Sequence, residues 1–350
     1  MGYNTWNAFK FGINETLIRQ TADKMVSLGL RQAGYTYLSL DDGWSLGQRN
    51  GSQAIDSDPT LFPSGMKALA GYVHASGLRF GVYSDAGTAT CGLHTGSLGY
   101  EKADAAQFAA WGVDLLKYDN CLSPPADVMS TSQRYEAMRD ALNATGRPIA
   151  FCMCDWGSSS AWIYGSKVGN SWRTTQDIAL GWDSVMANLD GTIGLSRYAG
   201  PGAWNDADML EIGPQGKLSG AEASAHMALW AILKSPLIIG ADLSALDNDT
   251  LAILKASEVI AVNQDGLGVA GDLVWKQGPA EVYAAPLSGG ARAVVLLNRH
   301  FMSDNRAGTH NMTAFWKAIG IPPAEMTQAT GHAAAVISWT GCVAALDLRP

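Results

Sequence analysis

The feature that most restricts this chain is a recurrence. Short runs rich in apolar, β-branched and aromatic residues return roughly every 30 to 45 residues, and most are separated by a stretch with helical periodicity. The runs are Gly2 to Trp6, Tyr35 to Leu40, Arg79 to Tyr83, Val113 to Tyr118, Pro148 to Cys152, Gly169 to Arg173, Tyr198 to Trp204 and Leu237 to Gly240. Amphipathic helices are expected over Glu15 to Leu28, Gly65 to Ser76, Tyr100 to Ala110, Ser132 to Ala144, Ile178 to Leu189 and Ala221 to Leu233. Eight such units in about 270 residues predict a (β/α)8 barrel.

The ends of the runs carry the functional signal. Run two ends in Asp41-Asp42, run three in Ser84-Asp85, run four in Lys117-Tyr118-Asp119-Asn120 and run five in Cys154-Asp155-Trp156. Run six leads from Arg173 to Asp177, and run seven into Asn205-Asp206-Ala207-Asp208. Any one of these acids is as well explained as a helix cap. Six consecutive strand ends, several with an aromatic or basic neighbour, instead point to the C-terminal face of a barrel, where the active sites of this fold sit.

Composition narrows the partners. Hydrophobic residues make up 47% of the 350 residues and charged ones 16%, which excludes a disordered chain. The net charge is −8, and no Lys/Arg stripe is present to neutralise a row of phosphates, so nucleic acid is not expected as a partner. No apolar run approaches the roughly 20 residues of a membrane span. The histidines form no HxH or HExxH pattern, and Cys152-Met153-Cys154 has no second pair to complete a zinc set, so neither a metal nor a cofactor is expected. Sequons at Asn14, Asn50, Asn143, Asn248 and Asn311 point to the secretory pathway (extracellular, cell wall or vacuole), with a signal peptide absent from this chain.

Composition shifts at Gly266 to Gly271. The expected division is a catalytic barrel over 1–268 and a small antiparallel β-sandwich domain over 269–350, with strands at Leu273 to Lys276, Glu281 to Ala285, Ala293 to Leu297 and Cys342 to Leu348. Arg299 to His310 shows no clear period.

Paired carboxylates with flanking aromatics and no metal suit glycoside hydrolysis, where one carboxylate faces the anomeric carbon and a second carboxyl group protonates the leaving oxygen. Strand alternation gives Lys117, Asp119 and Cys121 a shared direction, so a cation is expected beside Asp119, lowering its pKa. The alternative for that pair is a structural ion pair at the barrel rim. Asp177, alone, reads first as the N-cap of a helix from Ile178.

Seven motifs in order resolve these alternatives. They are Met1-Gly2-Tyr3-Asn4-Thr5-Trp6-Asn7, Leu40-Asp41-Asp42-Gly43-Trp44, Tyr83-Ser84-Asp85-Ala86-Gly87, Leu116-Lys117-Tyr118-Asp119-Asn120-Cys121, Ser171-Trp172-Arg173 through Asp177, Ala199-Gly200-Pro201-Gly202-Ala203-Trp204-Asn205-Asp206-Ala207-Asp208-Met209-Leu210, and Ile260-Ala261-Val262-Asn263-Gln264-Asp265. Together they resemble glycoside hydrolase family 27, the α-galactosidase (melibiase) family, its plant-like members especially. The resemblance implies a retaining exo-α-galactosidase that acts on terminal α-linked galactose by double displacement, with Asp119 as nucleophile and Asp177 as acid/base. It places Trp6, Asp41, Asp42, Tyr83, Cys91, Lys117, Cys154, Trp156, Arg173, Asp208 and Met209 around the sugar, and puts Cys91 and Cys121 on a family disulfide. Cys152, Cys154 and Cys342 are expected free, since a one-residue spacing is poor for a bridge. The chain is expected to work as a monomer or homodimer.

The sequence also departs from the family pattern. Phe11 and Gly43 stand where the family usually has two cysteines, which suggests that a bridge is lost; Asp155 stands for a Glu, and Ala207 for a Pro. Within the family, α-N-acetylgalactosaminidase and β-L-arabinopyranosidase remain alternatives, and outside it a non-catalytic galactose-binding barrel. Trp156 is expected to fill the space an N-acetyl group would need.

Overall fold

The computed structural model describes residues 1–299 and the strand Ala344–Leu348. Eight parallel strands, β1 (Gly2–Asn4), β2 (Tyr37–Ser39), β3 (Arg79–Asp85), β4 (Leu115–Asp119), β5 (Ala150–Met153), β6 (Ser171–Arg173), β7 (Trp204–Asp206) and β8 (Ile238–Ile239), run in the order β7-β6-β5-β4-β3-β2-β1-β8. A parallel bridge between Leu210 and Ile239 closes the ring. The β3 run is buried from Phe80 to Asp85, as a strand covered on both faces must be.

The helices are α1 (Trp6–Phe9), α2 (Glu15–Ser27), α3 (Met66–Ala75), α4 (Glu101–Trp111), α5 (Thr131–Ala144), α6 (Trp182–Thr192), α7 (Gly220–Ile232), α8 (Asn248–Leu254) and α9 (Ser257–Asn263). Their starts are written in the sequence. Asn14 accepts from Leu17 N–H at 2.9 Å, and Ser130–Gln133 and Ser219–Glu222 form reciprocal capping boxes. The helices close over the strands around one core that includes Tyr35, Phe80, Leu116, Trp172, Leu229 and Trp230.

Three expectations are corrected. The seventh strand is Trp204–Asp206 rather than Tyr198 to Trp204, because Gly200-Pro201-Gly202 makes a turn, with Gly202 at φ 85° and mutual hydrogen bonds between Gly200 and Ala203. α6 starts at Trp182 with Gly181 as N-cap, so Ile178 to Gly181 is loop and Asp177 caps no helix. α8 and α9, which pack against α7, were not expected.

Beyond them, β9 (Asp272–Gln277), β10 (Ala280–Pro286), β11 (Arg292–Asn298) and β12 (Ala344–Leu348) form one antiparallel sheet in the order β12-β11-β10-β9. Its two central strands, β10 and β11, meet the barrel at α7, and Arg299 pairs with buried Glu281 at 2.7 Å and with Asp190 of α6. The residues 300–310, Asn311 and Cys342 lie outside the described residues. Among the described residues, no helix is long and apolar enough to cross a membrane.

Candidate active site

The strand ends of β1 to β4 converge on one network. Lys117 Nζ donates to Asp41 Oδ2 at 2.7 Å, and Asn4 Nδ2 donates to the same oxygen at 2.8 Å. Asp42 is gripped from the neighbouring loops, accepting from Gly43 N–H, Thr90 Oγ1, Gly92 N–H and the His94 ring at 2.7–3.1 Å. Both acids are 2% exposed, so their charges are held by hydrogen bonds in place of water.

Asp119 closes β4. Tyr83 O–H donates to its Oδ2 at 2.9 Å and Asn120 N–H to its Oδ1 at 3.0 Å. Burial pushes its carboxyl up to about 6, against the opposing pull of Lys117 and the Tyr83 hydrogen bond. The expected lowering is therefore corrected: Lys117 acts in the expected direction, but its ammonium pairs with Asp41, and desolvation of Asp119 prevails. Lys117 is half-buried, and its desolvation favours the neutral amine; the surrounding carboxylates, Asp41 first, outweigh this and keep it charged.

Cys91 and Cys121 form a disulfide, with Cys91 Sγ 3.4 Å from the Tyr83 hydroxyl. The two loops meet closely: a methyl group on Gly87 would fall 1.9 Å from the Cys121 carbonyl oxygen, so only glycine fits there. Cys152 and Cys154 are free thiols. Asp85, Cys91, Asp119 and Cys121 present ligand-type atoms within 4.8 Å of one another, but both sulfurs are spent in the disulfide, which leaves two carboxylates as donors.

Across the barrel a second network centres on Arg173. Its guanidinium reaches Asp177 Oδ1 at 3.0 Å, Asp208 Oδ2 at 2.9 Å, the Thr175 carbonyl at 3.0 Å and Cys154 Sγ at 3.7 Å. Asp208 also accepts from Ile178 N–H at 2.8 Å, so it anchors the loop that carries Asp177. Asp177 is the open member, with a side chain 62% exposed against 4% for Arg173. A cavity of about 350 Å³ inside the barrel is lined by Lys117, Cys154, Arg173, Asp208 and Met209 together with Tyr3 and Ser39.

Trp6 joins the first network through its backbone, its N–H donating to Asn4 Oδ1 at 2.8 Å, and its ring and that of Trp156 flank the two networks' strand ends. Trp6 is half-buried on α1, edge-on to Phe11 at 5.2 Å between ring centroids, with Lys10 Nζ 4.8 Å from its ring. Trp156 is half-buried in a left-handed conformation (φ 54°), next to Asp155, whose carboxylate accepts from Gly157 and Ser159 N–H.

Two buried acids were not singled out from the sequence. Asp85 accepts from Gly87 N–H at 2.7 Å and Cys121 N–H at 3.0 Å; burial, then the charge of Asp119, pushes it up to about 8. Glu211 accepts a hydrogen bond from Asn7 on α1, tying the loop after β7 across the short β8 to the helix of Trp6, and burial pushes it up to about 7. Asp85 was visible as a strand-end acid, whereas the Asn7–Glu211 contact spans 204 residues and left no local signal.

Comparison with known proteins gives the chain a family. The family described as "Alpha galactosidase A" matches residues 5–265, and the "Alpha galactosidase C-terminal beta sandwich domain" matches residues 277–333. The chain is 49% identical over 300 residues to a probable alpha-galactosidase of Dictyostelium discoideum, covering 85% of this chain and 77% of that protein. It is 46% identical over 330 residues to alpha-galactosidase 2 of Arabidopsis thaliana, covering 94% and 81%. The crystal structure of alpha-galactosidase I from Mortierella vinacea superposes with a TM-score of 0.82 at 39% identity, covering 85% of this chain and 80% of that one. This chain belongs to the α-galactosidase (melibiase) family of glycoside hydrolases.

Proposed function

We propose that this chain is a retaining exo-α-galactosidase that removes terminal α-linked galactose, with Asp119 as nucleophile and Asp177 as acid/base. The observation that carries this reading is the contrast between the two carboxylates on one barrel face. Asp119 is buried and fixed by Tyr83, and Asp177 is exposed and held by Arg173. In the first step an oxygen of Asp119 bonds to the anomeric carbon as the glycosidic C–O bond breaks, and Asp177 gives its proton to the leaving oxygen. In the second, water loses a proton to Asp177, attacks the same carbon and displaces Asp119, which restores both groups.

The remaining residues then have binding roles. Asp41 and Asp42 accept from the O4 and O6 hydroxyls, Lys117, Arg173 and Asp208 complete the polar lining with Cys91, Cys154 and Met209 around it, and Trp6, Tyr83 and Trp156 supply walls. On this reading the catalytic barrel is residues 1–268 and the β domain 269–350. The exposed sequon asparagines Asn14, Asn143 and Asn248 support passage through the secretory pathway.

The test is a panel of aryl glycosides of α-galactose, α-N-acetylgalactosamine and β-L-arabinopyranose, with NMR of the first-formed sugar. Galactoside is expected to be preferred over the acetamido sugar by at least about tenfold in kcat/KM, since overpacking against Trp156 costs about 1 to 3 kcal/mol. The first product is expected to be α-galactose. A β first product sinks the retaining pair, and faster turnover of the acetamido sugar overturns the substrate.

A further inference from the structure

Arg134 is buried where local structure gives a cation little support. Its side chain belongs to a residue 2% exposed, the fourth of α5, near the positive end of that helix's dipole. Burial and the dipole both disfavour a guanidinium there. Its partners are neutral oxygens: Nη2 donates to Asn120 Oδ1 at 2.7 Å and Thr131 Oγ1 at 3.1 Å, and Nη1 donates to the Met129 carbonyl. Nε has no partner among the described residues. Met129 and Thr131 belong to the start of α5, but Asn120 lies at the other end of the loop, directly after Asp119.

Asn120 carries this contact into the site. Its N–H donates to Asp119 Oδ1 at 3.0 Å, while the Tyr83 O–H holds Oδ2 at 2.9 Å. The chain after Asp119 is therefore clasped at two successive residues. Cys121 is held by its N–H on Asp85 at 3.0 Å and by the disulfide to Cys91, and Asn120 is held by Arg134. An Asn120 side chain pinned at Oδ1 leaves its main chain little freedom, so the N–H stays aimed at the carboxylate.

We propose that Arg134 is a positioning residue for the nucleophile, acting through Asn120 to hold the Asp119 carboxylate in the orientation that meets the anomeric carbon. This rests on the galactosidase reading, with Asp119 as nucleophile, and adds to it a residue sealed behind the strand. A misplacement of about 1 Å at a reacting group can cost about a hundredfold in rate, which gives such a clasp a function.

The experiment compares Arg134→Met, Arg134→Lys, Asn120→Ala and the double variant Arg134→Met, Asn120→Ala in the full chain on an aryl α-galactoside. Arg134→Met is expected to lower kcat at least about tenfold, while galactose still raises the Tm as in wild type, because Asp41, Asp42 and Lys117 are untouched. A hydrogen bond to the anion favours the charged form, so loosening the Asn120 N–H should move the acidic limb of kcat/KM up by about half a pH unit. The other groups that face Asp119 stay in place: Lys117 on β4, Tyr83 and Asp85 on β3, Asp41 after β2 and Cys154 after β5. Arg134→Lys, which keeps a charge and a donor, is expected to recover part of the loss. Asn120→Ala keeps the cation and should shift the limb the same way. The double variant is expected to be no worse than Arg134→Met alone, since both changes break one clasp.

Fully additive losses would show that Arg134 does not act through Asn120. A lower Tm with kcat and limb unchanged would make it a fastener of the loop before α5 and nothing more. Should Arg134→Met fail to fold, half-buried Asn120 decides alone, and wild-type kcat in Asn120→Ala overturns the clasp. A wild-type chain that leaves the aryl α-galactoside intact overturns the galactosidase reading and the clasp together, whereas active wild type with unchanged variants overturns the clasp only.

Discussion

The two sides of the site are held by different means. On the β1–β4 side, Asp41, Asp42 and Asp119 are buried, cross-linked by Lys117, Tyr83 and backbone N–H groups, and backed by a disulfide between the β3 and β4 loops. On the β5–β7 side, one arginine fork gathers Asp177 and Asp208, and Asp177 stays open to water. The difference matches two chemical demands. A nucleophile must meet the anomeric carbon in one orientation, and burial with fixed partners provides it. A group that gives and takes a proton in alternate steps must exchange with water, so it cannot be sealed.

Asp119→Asn breaks the closed side. Removing the proposed nucleophile is expected to lower kcat/KM by at least about a thousandfold on any α-galactoside, whatever the leaving group. Galactose should still raise the Tm of the variant, because Asp41, Asp42 and Lys117 remain. Asp119→Asn retaining a tenth or more of wild-type activity would refute the role.

On the open side, Asp177→Asn is expected to cost about 10² to 10⁴ on alkyl α-galactosides, the range of general acid–base catalysis. The loss should shrink on nitrophenyl galactosides in the first step, because such leaving groups need little protonation. Equal losses on both classes would mean that Asp177 only positions Arg173.

What was legible in the sequence follows the same division. Strand-end acids were readable because β-runs stop where polar residues begin, and the proposed acids all lie at a barrel strand end or on the loop following it, while Tyr83 and Lys117 lie within β3 and β4 and Trp6 opens α1. Strand seven was misplaced because Tyr198, Ala199 and Ala203 look apolar although Pro201-Gly202 bends the chain, and α6 because Ile178-Ala179-Leu180 continues the apolar period across a loop. Phe11 and Gly43 were read as a lost bridge, and the structure places the Phe11 ring where a methyl group on Gly43 would be 2.9 Å away. Burial was beyond reach, since the charge state of Asp119 depends on its desolvation and on Lys117, Tyr83 and Asp41 converging from neighbouring strands.

That charge state gives the smallest and sharpest test. The proposed nucleophile works as an anion, and its carboxyl is pushed up to about 6, so kcat/KM should fall as pH drops through about 6 rather than through the ordinary aspartate range. Lys117 opposes burial at Asp119 and also neutralises Asp41, whose charge raises Asp119. Lys117→Met removes the cation and unpairs Asp41, and both changes push the same way. The acidic limb should move to higher pH. A pH profile of kcat/KM for wild type and variant decides this. A limb that stays in place while activity falls uniformly would make Lys117 a sugar-binding group only, and one that moves to lower pH would show that Asp119 is not the group being titrated.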